Sequence, residues 1–453
     1  MVKLSQPGFE ASKRRPNGFP HEAQKEMTMA DILTSLTALA VSAFRSRSEA
    51  VSKFPDWYGG IFSPDPVLQE AHRASIISPD NQAMKAIGEL IMAEPDFAII
   101  APREGELDPM VLSAQGGIRT SLDGLITSLL TSALLQMYFL RSPYEEGTFV
   151  RIVLEGFEEL RRAVRGERVR AYDITAIARI SLPEGAQIST PWGLIRPAPP
   201  ATSIDPRSIM LGQLKTSCIL AEPRLIRVKF DRSASPQLSF DAADAAPTRS
   251  RNLFPLACAL ASNDNMNPVA PIMSWFTYLL PFQSGLGFTL PVLPHVFGGE
   301  VDVGGQISQI EEWARIVDRA HVESVEIAAH RLVSAVGHRM DRSDALIDAV
   351  MVWENLLGTR IETAFRVTAA LSKLLEPDLI KRRELHSTLK RIYDIRSRVV
   401  HGDQTTDKTK IDQACGEAVD FAIRALGASY QKGPSWLALT SEKRADQILL
   451  EWA

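Results

Sequence analysis

Two residues near the end of the chain, Arg396 and His401, are of the types that move protons and grip phosphate. An imidazole titrates near neutrality, so it can take a proton in one step and return it in another. A guanidinium presents a planar fork of donors that matches a phosphate group. The segment that carries them has an unusual charge balance. Residues 379–400 hold seven basic side chains, Lys381, Arg382, Arg383, Lys390, Arg391, Arg396 and Arg398, against two acids, Glu384 and Asp394. The whole chain has a formal net charge of −4, so a surface for a polyanion has to be local, and this segment offers one. The competing reading is an ordinary solvated helix face.

Arg396 stands apart from the other cations. Leu385, Leu389, Ile392 and Val399 trace one helical stripe, and Arg396 falls on it between Ile392 and Val399. A guanidinium in an apolar stripe needs a partner, because an unpaired buried charge is costly. Glu354, next to Trp353 in another amphipathic segment, is the nearest carboxylate by pattern. One expectation is an Arg396–Glu354 contact in or near a helical core. The other is an Arg396 at the edge of the stripe that reaches water. His401 follows five residues after Arg396 and precedes Gly402. On an ideal helix the two side chains point about 140° apart, so they converge only through a loose last turn. The alternative for His401-Gly402 is a plain C-terminal cap.

The elements that must position these residues are helices. Amphipathic segments are predicted at 307–337, 343–357, 360–375, 379–401 and 409–426. In the first, Ile310, Ala314, Val317, Ala320, Ile327 and Val336 lie near one face; in the third, Ile361, Ala364, Phe365, Leu371, Leu374 and Leu375 do. Ser343 suits an N-cap, Gly358 a C-terminal stop, and Pro377 bars continuation of the third helix. Short connections make the neighbours antiparallel, which gives an up-and-down bundle over residues 307–430 and a helical tail over 431–453. Upstream, residues 1–27 read as a disordered leader and 28–165 as mainly helical, with helices at 30–49, 81–94, 121–141 and 147–165. Residues 166–297 read as a mixed region with some antiparallel strands, at 169–182 and 223–230, an extended segment at 188–200 and a loop over 231–252. Residues 298–306 include four glycines and read as a linker, so the bundle is expected to fold as a separable unit. The fold class is α+β overall, mainly α.

Several function classes lack their signatures. The chain has no phosphate-binding P-loop, no dinucleotide fingerprint and no nucleophile elbow. Its cysteines, Cys218, Cys258 and Cys415, are far apart and form no metal or disulfide pattern. His321, His330 and His338 are not spaced one helical turn apart and read as surface or packing histidines. No cofactor is expected. The uncharged run 124–140 is short and contains Ser, Thr and Gln, which favours a buried helix over a membrane span. The apolar stretch 29–44 is interrupted by Asp31 and lacks a basic lead, so it reads as one helical stripe and not as a signal segment. A cytoplasmic protein without membrane attachment is expected.

The segments VMVWENLLG (350–358) and LKRIYDIRSRVVHGD (389–403) resemble the two signature helices of Apea-like HEPN domains. In that family a Leu-Glu-Leu-Leu-like run in one helix is followed by a Tyr-Asp-x-Arg-Ser-x-x-x-His-Gly run in a later one. The matching residues are Glu354, Tyr393, Asp394, Arg396, Ser397, His401 and Gly402, with Trp353 in place of the usual aliphatic residue. The resemblance covers residues 307–430. It implies a metal-independent endoribonuclease, a defence or stress effector, that forms a homodimer in which two such motifs face one RNA-binding cleft. His401 would be the acid and base, Arg396 the phosphate clamp and Glu354 the residue that orients Arg396. Tyr393, Asp394, Ser397, Arg398, Lys390 and Arg391 would contact RNA or support the motif. The N-terminal region would sense a trigger, select the substrate or restrain the nuclease, with or without a protein regulator. Family members without activity serve as RNA-binding or assembly scaffolds, which is the alternative here.

Overall fold

The computed structural model of the chain describes residues 29–51, 81–113, 116–140, 142–198, 216–230, 237–239, 247–262, 268–282, 300–359, 363–402 and 407–450. The expected leader 1–27, Gly298 and Gly299 of the expected linker, and Ile361 lie outside them. The described chain is mainly helical with some sheet.

Among the described residues four helices come first: α1 (Met29–Val51), α2 (Asn81–Ala93), α3 (Leu122–Phe139) and α4 (Glu146–Val164), with a small hairpin β1 (Met110–Ser113) and β2 (Gly116–Arg119) between α2 and α3. Ser121 caps α3 by accepting from the Gly124 N–H. Among the described residues α3 is the one helix long and apolar enough to cross a membrane, and 67% of it is buried inside the fold. Its residues pack against α2, α4 and the sheet, in a core that α1 shares.

The sheet follows: β3 (Arg168–Ala178), β4 (Ile180–Ser181), β5 (Ile188–Ser189), β6 (Leu194–Pro197), β7 (Thr216–Lys229) and β8 (Gln237–Ser239). Helix α5 (Pro247–Leu260) and strand β9 (Ile272–Leu279) complete this half. The main sheet is antiparallel, in the order β5-β6-β7-β3-β9, with β8 also paired to β7. β3 is covered on both faces from Ile174 onward, so the alternation that marks a half-buried strand gives way to a continuous buried run, apolar but for Thr175. Helix α5 replaces the end of the loop expected over 231–252. It carries Pro255 inside it, a residue that sequence patterning treats as a helix breaker.

The remaining elements are β10 (Val301–Asp302), α6 (Ile307–Ala320), α7 (Glu326–Val333), α8 (Arg342–Leu357), α9 (Thr363–Leu375), α10 (Leu379–Val400), α11 (Lys408–Gln431), α12 (Pro434–Leu437) and α13 (Ser441–Leu450). Helix α8 is central and packs against α7, α9, α10, α11 and α13. Its Trp353 is fully buried. Three details depart from the sequence pattern. The first expected helix is broken after Ala320, where His321 turns extended, and it ends in a π-helical turn, Ser334–His338. Asp341, not Ser343, caps α8, accepting from the Ser343 and Asp344 N–H groups. Ile327 and Phe365, expected on core faces, are exposed.

The glycine-rich linker is a further departure. Residues 300–306 do not form an open connection. Val301 and Asp302 pair in parallel with Ile180 and Ser181, and Val303 and Gln306 are buried. Leu253, Leu256, Ala257 and Leu260 of α5 belong to the same core as the C-terminal helices, as do Leu437, Ala445 and Ile448 of the expected tail. The core of the bundle therefore reaches beyond residues 307–430 on both sides. Arg444 closes it: fully buried, it donates to the carbonyls of Asn355 (2.8 Å), Leu356 (2.9 Å) and Leu437 (2.7 Å). The first two are orphan carbonyls at the end of α8, so the guanidinium serves as its C-terminal cap and ties it to Leu437 of α12.

Candidate functional site

Helix α10 begins at Asp378, whose side chain accepts from the Ile380 and Lys381 N–H groups. It buries Leu389, Ile392 and Ile395 against the bundle. That stripe turns Tyr393 and Arg396 toward α8, where Glu354 waits one position past the buried Trp353. The Tyr393 hydroxyl donates to Glu354 Oε1 at 2.5 Å, and Arg396 Nη2 donates to Glu354 Oε2 at 3.3 Å. The Arg396 guanidinium carbon also lies 5.9 Å from the centre of the Tyr393 ring. Both pattern-based expectations for Arg396 thus hold in part: it meets Glu354, and it does so at the edge of the core. The side chains of Arg396 and Glu354 are 21% and 26% exposed.

The two bonds to Glu354 differ in kind. Burial, then the hydrogen bond to Glu354 and its charge, push the Tyr393 phenol well above its ordinary range, so it is a fixed donor. The bond from Arg396 is long for a charge-assisted pair. It is the one hydrogen bond that Arg396 makes among the described residues, and its Nε is buried without a partner. Glu354 therefore aims the guanidinium and leaves most of its donors unused.

His401 ends α10. Its N–H bonds to the carbonyls of Ser397 and Val399, and Gly402 follows with φ +73°, the left-handed turn in which glycine closes a helix. The imidazole is exposed and makes no hydrogen bond or ion pair among the described residues. The structure gives no contact between the His401 and Arg396 side chains. Lys390, Asp394 and Arg398 are exposed, and Lys390 and Arg398 have no ion-pair partner among the described residues; Lys381 and Arg383 share both traits. Arg391 is paired with Glu417 of α11. Ser397 contributes its carbonyl to the cap.

A second polar cluster escaped the sequence pattern altogether. Asp173 of β3 stands opposite Glu222 of β7 on one side and Tyr278 of β9 on the other. Both acids are buried. Arg251 of α5 donates to both Asp173 oxygens, at 2.9 and 2.8 Å, while Ser250 (2.7 Å) and Arg224 (3.2 Å) donate to Glu222. Burial pushes the Glu222 carboxyl up to about 7, against the pull of Ser250 and Arg224. Burial also raises Asp173, against Arg251 and Arg224. The one signal in the sequence was Asp173 inside the strand-like run 169–182, which edge strands also show; Glu222 fell just before the run 223–230. Among the described residues no group of three or more His, Cys, Asp or Glu is placed to hold a metal ion.

No protein-family model matches the chain, and no curated protein and no solved structure matches it.

Proposed function

We propose that the chain is a metal-independent endoribonuclease of the HEPN type, with a bundle of that type around α8, α10 and α11, acting as a defence or stress effector. The observation that carries this reading is the Glu354–Arg396 pair. A carboxylate holds Nη2 of a guanidinium at the rim of the core, Nε is buried, and Nη1 stays without a partner among the described residues, available for a phosphate. The unpaired cations on the same helix give RNA an electrostatic footing. His401, exposed and free of partners among the described residues, takes the proton of a ribose 2′-hydroxyl; the 2′ oxygen attacks the adjacent phosphorus. The 5′ oxygen leaves with a proton supplied by a second imidazole, giving a 2′,3′-cyclic phosphate and a 5′-hydroxyl. One chain has one His401, and acid and base catalysis within one step is easiest with two, so a homodimer with a composite cleft suits the chemistry as well as the resemblance.

One observation favours a second reading. Arg396 and His401 share no contact within the chain, as they would in a non-catalytic bundle that binds RNA or assembles. Cleavage of RNA in the presence of EDTA separates the two. Wild type should cut RNA, leave a 2′,3′-cyclic phosphate and spare DNA. His401→Ala should bind RNA without cutting it, and Arg396→Ala should weaken both, with circular dichroism as the control for folding. Loss of activity with chelator alone would overturn the metal-independent mechanism, and absence of cleavage by folded wild type would leave the scaffold.

A further inference from the structure

The seam between the sheet and the bundle holds an arginine in a backbone conformation that side chains avoid. Arg179, between β3 and β4, has φ +72°, and it is the one described residue other than glycine in that region. Such strain persists where the surroundings impose it, and it gathers at sites that use the side chain. Here the kink aims the guanidinium at the π-helical turn after α7, where Arg179 Nη1 donates to the Gly337 carbonyl at 2.8 Å. A side chain at Gly337 would meet Ala270 at 2.9 Å, so glycine lets that turn sit close. Arg179 has no carboxylate partner among the described residues. Its Nε is buried without a hydrogen bond, and burial alone lowers its hold on its proton.

The neighbourhood is short of negative charge. His338, next in the chain after Gly337, is partly buried and makes no hydrogen bond among the described residues. Burial lowers its affinity for a proton, and the nearby His330, Arg179 and Arg339 lower it further; Asp348 alone opposes them. Asp348 is already engaged, accepting from Arg331 (2.8 Å) and Arg339 (2.6 Å). Asp344 also lies 3.9 Å from Arg339, so three guanidiniums and two imidazoles share two carboxylates, and neither carboxylate contacts Arg179. A desolvated cation with no counter-charge is costly, and an anion relieves that cost.

We propose that Arg179 and His338 form an anion site that takes a phosphoryl group at the seam between the sheet and the bundle. Arg179 Nη2, neither buried like Nε nor spent like Nη1, donates to a phosphate oxygen, and the His338 ring supplies a further donor once an anion favours its protonated form. The phosphoryl group belongs either to a small free phosphate or nucleotide or to an RNA backbone. The site does not depend on the ribonuclease reading, and its test does not read cleavage.

The test is calorimetric titration of the full chain with inorganic phosphate, a nucleoside monophosphate and a short RNA without terminal phosphates. Arg179→Gly is the decisive variant, because glycine accepts the left-handed backbone while the guanidinium is removed. It should melt no lower than wild type and bind at least tenfold more weakly. His338→Asn should also weaken binding, and Arg179→Lys should keep most of it. Loss of phosphate or nucleotide binding in both deletion variants supports the site and identifies a free phosphate as its ligand. Loss of RNA binding alone supports the site and identifies the backbone. Failure of wild type to bind any probe, or equal binding by wild type and Arg179→Gly, overturns the proposal. Should Arg179→Gly not fold, the strain argument falls and His338→Asn decides the rest.

Discussion

Glu354–Arg396 and Asp173–Arg251 are the same chemical pair in two settings. The first lies at the rim of a helical bundle, with one long hydrogen bond and a quarter of the carboxylate side chain exposed. The second lies under the main sheet, with two short bonds to a carboxylate that has no exposure at all. In the first, the arginine is aimed but not consumed. In the second, both charges are consumed in holding α5 against the sheet. An arginine–carboxylate contact therefore says little by itself. Its role depends on how many donors are left over and whether water or a ligand can reach them.

The largest effect that would test this contrast is at the buried pair. Asp173→Ala strands Arg251 under the sheet and should cost roughly 3–5 kcal/mol in denaturant unfolding. A loss near zero would mean that Arg251 escapes to water and that the two settings are alike. The neighbouring Glu222 gives a pH signature. Its carboxyl is raised from 4.5 to about 7 in the fold. Below the lower value both folded and unfolded chains hold the proton; between the two, only the folded chain does. Stability should therefore fall as pH rises through that window, on the order of 3 kcal/mol, and be flat above it as far as this group is concerned. Glu222→Gln should remove the slope, and an unchanged profile would place the titration elsewhere.

Glu354→Gln is the counterpart at the rim. It should cost about 1 kcal/mol or less, because the pair is partly exposed. In the ribonuclease reading it should nonetheless abolish most RNA cleavage, since the amide no longer aims Arg396. Normal cleavage by the folded variant would remove Glu354 from the site. The smallest effect belongs to the exposed cations. Lys390→Ala or Arg398→Ala should change stability by less than about 0.5 kcal/mol. Each should weaken RNA binding evenly across sequences and reduce its salt dependence by about one unit of slope.

The rim was more legible in the sequence than the buried cluster. Arg396 interrupts a helical stripe, and an interruption of period 3.6 points to a partner on a neighbouring helix; Glu354 followed from its place beside Trp353. Asp173 and Glu222 sit in strands where one face is expected to be polar, so nothing marked them as buried. Their partners Ser250 and Arg251 lie in a helix that Pro255 and the preceding polar run concealed. The glycines near residue 300 misled in the opposite direction. Gly304 and Gly305 belong to a tight turn beside a buried valine, and composition alone does not distinguish such a turn from a flexible linker. The break after Ala320 was hidden because apolar residues keep their period on either side of it.

Arg444 has a consequence in time. The carbonyls at the end of α8, directly after Glu354, wait for a guanidinium made about ninety residues later. As a chain is synthesised at roughly 5–20 residues per second, α8 can form while its end remains uncapped for several seconds. The position of Glu354 is then settled only when residue 444 has emerged and docked. A nascent chain stalled before that point carries every residue of the candidate site and lacks the contact that finishes its scaffold.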